Sequence, residues 1–214
     1  MQRILQAELL DSLPPDHPDA LHSRRDLRVL NRVMGNYRWF ARVLPALLRP
    51  GEAALELGAG DGTLGVALAA RGVAIDGLDL WPRPSGWPGA REWHRADLRT
   101  FLEYARYTVV AGNLIFHQFN ETELAALGAI LRQKARAIVA CEPARQRSSQ
   151  ALLAVLAPVF GANAVTRHDA RLSVAAGFRG DELPRALGLG PEAWDIATEK
   201  TALGAFRMVA TRRA

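Results

Sequence analysis

Ala54-Leu55-Glu56-Leu57-Gly58-Ala59-Gly60-Asp61-Gly62-Thr63 runs from a short apolar segment into a glycine-rich turn, and a helical pattern follows. The pattern predicts a strand over Ala53–Leu57 and a helix over Gly62–Arg71. Glycine at a strand-to-helix turn lets backbone amides approach a ligand and permits positive φ. The dinucleotide fingerprint is G-x-G-x-x-G. Gly58 and Gly60 fit it, but its third place is Thr63, and glycine falls at Gly62 instead. Glu56 stands two residues before the first glycine, which suits a ligand with a cationic amino group better than a pyrophosphate. No G-K-[ST] follows, which excludes a nucleotide P-loop.

Downstream, short apolar runs alternate with helical ones. Strands are expected over Val73–Leu80, around Glu92–His94, and over Tyr107–Leu114 and Ala135–Cys141. Helices are expected over Leu98–Tyr104, Glu121–Arg132 and Ser148–Phe160, and a Pro/Gly/Trp loop over 81–90. Buried-type strands alternating with helices predict an α/β, doubly wound, Rossmann-like parallel sheet. Trp194–Glu199 and Ala205–Thr211 are separated by a short turn, so the last strand should run antiparallel to its neighbour.

Upstream, residues 1–12 read as a short helix stopped at Ser12-Leu13-Pro14-Pro15-Asp16. Ser23 is a candidate cap for a long helical region whose apolar face is Leu27, Leu30, Met34, Tyr37, Ala41, Leu44 and Leu48. Arg25, Arg28 and Arg32 share another face, Gly35-Asn36 is a candidate break, and Pro50-Gly51 closes the region. The chain thus divides into an N-terminal helical extension or lid over 1–50 and a ligand-binding domain over 51–214.

Two further acids end predicted strands. Asp79 is placed to accept both hydroxyls of a ribose, or is a loop carboxylate. Asp97, in Arg95-Ala96-Asp97-Leu98, either accepts from an adenine amino group or caps the helix it opens. Together with the glycine loop, these acids outline a nucleoside pocket along the carboxyl edge of the sheet.

The composition is that of a globular protein: 214 residues, 49% apolar, 23% charged. No apolar run reaches the ~20 residues of a membrane helix. Residues 1–16 carry Glu8 early and no long apolar core, unlike a signal or transit peptide. One cysteine excludes an internal disulfide and a cysteine-rich zinc site, so a cytoplasmic location is expected. The net charge is +5 and the basic residues are almost all arginine, Lys134 and Lys200 excepted. The arginines are dispersed, so neither a membrane nor a specific nucleic acid is expected as partner.

Glu56–Gly62, Asp79, Asp97-Leu98 and Asn113-Leu114-Ile115-Phe116-His117 resemble the successive motifs of class I S-adenosylmethionine-dependent methyltransferases. The resemblance spans about residues 50–211. Ala111–Phe119 is closest to the small-molecule branch, similar to the quinone-biosynthesis methyltransferases, whose N-L-x-x-H-H-F here has Gln118 for the second His. It implies a seven-stranded sheet with an antiparallel last strand and S-adenosyl-L-methionine as cofactor. It also implies that Gly58, Gly60 and Gly62 line the methionine, Asp79 holds the ribose, and Asp97 with Leu98 holds the adenine. Glu56, Ala59, Leu80 and Asn113 complete the expected cofactor residues.

The expected reaction is O- or C-methylation of a small-molecule acceptor. A nucleobase amine is disfavoured because Asn113-Leu114-Ile115-Phe116 lacks the prolines of N-P-P-[YF]. Transfer from a sulfonium requires alignment and a dry pocket, with a base only where the nucleophile must lose a proton. His117 is the candidate base, or a packed structural histidine. His168 and Asp169 are weaker catalytic candidates, expected to fold over the mouth of the site. No metal ligation is expected, since the five histidines show no H-E-x-x-H spacing. Trp81 covers the adenine or belongs to a rigid surface loop, and Tyr37, Trp39 and Phe40 line a lid or pack on the sheet. Cys141 reads as a small core residue. An RNA methyltransferase is the nearest alternative, followed by an NAD(P)-dependent Rossmann oxidoreductase and a non-catalytic cofactor-binding scaffold. Oligomeric state is not legible.

Overall fold

All four residues of β1 (Ala54–Leu57) are buried, as a strand covered on both faces must be. The computed structural model describes residues 2–14, 16–159 and 161–213. Met1, Pro15 and Phe160, which the sequence assigned to the ends of helices, lie outside the described residues. In chain order, α1 (Leu9–Ser12), α2 (Pro18–Val33) and α3 (Asn36–Leu47) precede β1. Then come α4 (Thr63–Ala69), β2 (Ile75–Asp79), β3 (Trp93–Arg95), β4 (Val109–Asn113), α5 (Glu121–Lys134) and β5 (Ala137–Pro143). The chain ends with α6 (Arg147–Val159), α7 (Ala164–Ala176), α8 (Glu182–Ala186), β6 (Trp194–Lys200) and β7 (Ala205–Arg212). Among the described residues, no helix is long and apolar enough to cross a membrane.

The strands form one seven-stranded sheet in the order β3-β2-β1-β4-β5-β7-β6. β1 through β5 are parallel, and β7 is antiparallel to both its neighbours. The expected hairpin is present, with β7 inserted between β6 and β5. Side chains alternate across the sheet. Leu55, Leu57, Val110, Ile138 and Ala140 join the apolar layer beneath α5 and α8. Ala54, Val109, Ala111, Val139 and Cys141 join the layer that holds Trp39, Phe40 and Leu44 of α3. Trp39 and Phe40 therefore pack on the sheet.

Three local expectations are corrected. Ser23 does not cap the N-terminal helical region. α2 starts at Pro18 with His17 as cap, its Nδ1 accepting from Asp19 N at 3.2 Å, while Ser23 is buried inside the helix against Asn163. Proline at the first helical position loses only an amide that has no helical partner. Leu98–Tyr104 is not an α-helix; Glu103–Arg106 forms a 3-10 turn instead. Residues 2–8 are not helical. Ile4 N donates to Ala175 O at 3.1 Å, and the segment runs along α7.

Candidate functional site

The parallel register brings the carboxyl ends of β1, β2 and β4 together, with Leu57 beside both Leu78 and Gly112. The turn after β1 holds Gly58, Gly60 and Gly62 at φ of 62°, 56° and 74°. Residues with a Cβ pay about 1–2 kcal/mol to adopt this left-handed region, which is why alternate positions are glycine. Ala59 between them is buried. Beneath the turn lies Trp87. A Cβ at Gly62 would stand 2.9 Å from its ring, one at Gly65 2.3 Å, and one at Gly77 3.1 Å.

Asp79, at the end of β2, reaches back to this turn. Its Oδ2 accepts from Gly60 N at 2.7 Å and its Oδ1 from Trp81 N at 2.9 Å. Leu80 is exposed beside it. Glu56 is 3% exposed, and its Oε2 has no hydrogen-bond partner. Burial, with Asp61 and Asp79 nearby, pushes its carboxyl well above the usual range, and the Gly65 amide offsets this in part. An orphaned carboxylate oxygen in a dry site is costly unless a cation or donor meets it. An ammonium group would both pair with it and restore its ionised form.

Asp97 is placed at the same edge, but it is already engaged. Arg99 donates to it through Nη2 at 2.7 Å, Nε at 3.0 Å and its backbone amide at 2.8 Å. These bonds hold its carboxyl below the usual range. Asp97 thus orders a turn and caps no helix, since none begins there, and Leu98 behind it is buried, with its carbonyl accepting from Tyr104 at 2.6 Å. Trp81 is half-exposed and stacked under Arg24 of α2 at 4.3 Å. Arg28, one turn further along α2, pairs with Asp61 of the glycine turn at 2.7 Å. α2 therefore crosses the carboxyl edge of the sheet at the glycine turn.

Asn113 ends β4. Its Nδ2 donates to Asn31 Oδ1 at 3.0 Å, which also accepts from buried Asn36 at 2.9 Å. This amide cluster ties α2 and α3 to the centre of the sheet edge. Leu114 follows at φ 60°, the one non-glycine residue with positive φ among the described residues. Such strain persists only where neighbours enforce it. Here Leu114 N donates to Cys141 O at 2.8 Å, and Glu142 receives the next three amides, from Ile115, Phe116 and His117, at 2.9–3.2 Å. Glu142 is fully buried and escaped the sequence reading. The available signal was a lone acid ending an apolar strand just before a proline.

His117 does not stand free beside an acceptor. It is buried, with Nδ1 2.7 Å from Glu142 and Nε2 3.5 Å from Glu8. Burial alone would push the imidazole down, but the Glu142 hydrogen bond and the charges of Glu142 and Glu8 outweigh it and hold it up at about 9. With a carboxylate facing each ring nitrogen, the arrangement favours the protonated ring over a free base. His168 and Asp169 do not lie in a loop over the sheet edge. They sit on α7, where Asp169 accepts from Leu9 N and Leu10 N, both at 2.9 Å, and so caps α1. His168 is half-exposed, 3.0 Å from Asp169. Cys141 is buried, which pushes its thiol up to about 12, so it is inert. Among the described residues no three His, Cys, Asp or Glu side chains gather as metal ligands.

This strand order, with its antiparallel β7 and its glycine turn after β1, defines the class I methyltransferase fold. Solved structures of methyltransferases resemble it. The plantazolicin methyltransferase BpumL in complex with SAH superposes with a TM-score of 0.73 at 11% identity, over 96% of this chain and 93% of that one. Magnesium protoporphyrin IX methyltransferase from Synechocystis PCC 6803 with bound SAM gives 0.55 at 17% identity, over 90% and 84%. The methyltransferase domain of bacterial CtHen1 gives 0.57 at 12% identity, over 85% and 99%. No family model and no curated protein sequence matches the chain.

Proposed function

We propose that this chain is a methyltransferase that uses S-adenosyl-L-methionine to methylate a small-molecule acceptor at oxygen or carbon. The observation that carries the reading is Glu56. A buried carboxyl in β1 with one oxygen unpartnered, beside three left-handed glycines, fits the ammonium of a methionine moiety. Asp79 remains able to accept from ribose hydroxyls, because each carboxylate oxygen has a second lone pair. Leu80 and Leu98 flank the place for the adenine, and Asp97 orders the loop there through Arg99. The bound SAH and SAM of the similar structures support the cofactor.

The cofactor, when bound, supplies an electrophilic methyl on sulfonium. What remains for the protein is alignment and exclusion of water. The strained turn at Leu114, fixed by Glu142, sets the wall beside the end of β4. The Asn31–Asn36–Asn113 cluster holds the helical lid against it. His117 serves as a positive charge beside the acceptor, and a nucleophile with a proton to lose passes it to water. Within the fold, the Asn113–His117 segment favours the small-molecule branch similar to the quinone-biosynthesis enzymes, and residues 1–50 are the part that selects the acceptor. Location in the cytoplasm is the setting this chemistry suits.

Titration calorimetry with S-adenosylhomocysteine and NAD tests the reading. Micromolar binding of the sulfur ligand without NAD binding is expected. Tight NAD binding with no response to the sulfur ligand overturns it.

A further inference from the structure

The chain segment before α1 forms one wall of a cleft of about 320 Å³, lined by Leu5, Glu8, His117, Gln118, Leu172 and Ala176 among others. Only one of the two charges at its floor is built into the fold. His117 is fixed by Glu142, which the backbone of the preceding turn holds in place through three amides. Glu8 arrives from outside, on a segment with no regular structure of its own. Glu8 Oε1 accepts from the Ser173 hydroxyl and lies 3.5 Å from His117 Nε2, beyond hydrogen-bond length. The Ser173 hydroxyl has a second acceptor in its own helix, Asp169 O at 2.9 Å, so it stays satisfied if Glu8 leaves. His117 Nε2 has no such reserve.

The other charges near this floor are Arg3, which donates to His117 O and Phe119 O at 3.1 and 2.7 Å, and Arg145, which is buried against Glu182 and the Gly177 carbonyl. Glu8 thus supplies the one carboxylate of the group that rides on the irregular N-terminal segment. A free carboxylate that took its place would keep the buried charge count unchanged and close the long contact to His117. Of the remaining wall, Leu5, Leu172 and Ala176 are apolar and Gln6 and Gln118 are polar.

We propose that this cleft is the acceptor's anchoring site: it binds the carboxylate of a small apolar acid between His117 Nε2 and Ser173 Oγ, in place of Glu8. His117 is then a specificity-determining residue and Glu8 an internal stand-in for the ligand. The inference rests on the methyl-transfer reading only in taking the acid to be the acceptor; the carboxylate seat is independent of it.

Calorimetry on the full chain with benzoate, and with benzamide as its neutral counterpart, tests the seat. A tethered carboxylate competes at an effective millimolar concentration, so Glu8→Ala is expected to tighten benzoate binding by about ten-fold or more and leave benzamide unchanged. Glu8→Gln, which keeps the size of the side chain, serves if Glu8→Ala fails to fold, and gives the same gain. Adding His117→Asn to either variant removes it. Equal benzoate affinity in the wild type and the folded Glu8 variant, or an equal gain for benzamide, overturns the proposal. A parallel titration with S-adenosylhomocysteine reports the cofactor site separately: its failure sinks the methyltransferase reading, while the benzoate comparison still decides the seat.

Discussion

Asp79 Oδ2 accepts from Gly60 N at 2.7 Å, so the acid that ends β2 also fixes the glycine turn that follows β1. One carboxylate thereby shapes two turns at the carboxyl edge of the sheet. Asp79→Ala should loosen the turn and remove the ribose acceptors together. Charge-assisted bonds are worth about 1.5–3 kcal/mol each, so S-adenosylhomocysteine affinity should fall roughly 10- to 150-fold. An unchanged calorimetric Kd would remove Asp79 from the cofactor site.

His117 gives stability a definite pH dependence. Its folded pKa, about 9, lies above the usual 6.5. A group raised in this way contributes fully below the unfolded value and loses its contribution as pH rises through the folded one. The urea midpoint of the wild type should therefore fall between about pH 6.5 and 9. His117→Gln should show a flatter profile across that window. Parallel profiles for the two proteins would contradict the buried imidazolium.

Gly128 lies in α5 where the helix meets α8, and a Cβ there would stand 2.2 Å from the carbonyl oxygen of Leu187. Alanine normally favours a helix over glycine by about 1 kcal/mol. Here overpacking against backbone, typically about 1–3 kcal/mol, should outweigh that gain. Gly128→Ala is expected to lower Tm, and a raised Tm would show that α8 yields freely.

The excess of arginine should not make a specific RNA site. Arg28 pairs with Asp61, Arg106 with Glu92 and Glu103, Arg136 with Glu52, and Arg213 with Asp195. Such pairing breaks up any continuous basic surface. RNA binding in a filter assay should be weak and fall steeply with salt. Methyl transfer to one defined nucleotide would contradict this.

The sheet and its glycine turn were legible because short apolar runs, glycine spacing and acids at strand ends are local signals. The surroundings of His117 were not, because their parts lie far apart in sequence. α7 was missed: its buried residues include Thr166 and Asp169, which are satisfied by Asp26 and by the amides of α1, so the apolar stripe that marks a helix is interrupted. The charge state of His117 depends on Glu142 and Glu8, which come from the end of β5 and from the segment before α1. No window around Asn113–His117 contains either.

Trp87 gives the glycines of this chain a second meaning. Its indole occupies the volume that side chains at 62, 65 and 77 would otherwise claim, and its Nε1 is tied off on the carbonyls of Arg91 and Glu92. The ring and the missing methyl groups behave as a lock and its wards. A relative with a smaller residue at 87 would have room for alanine at 65, whereas a Cβ at 77 would still meet the Trp93 ring at 2.6 Å and position 62 would keep its φ of 74°. Glycine at 65 should therefore rise and fall with the indole, whatever the ligand.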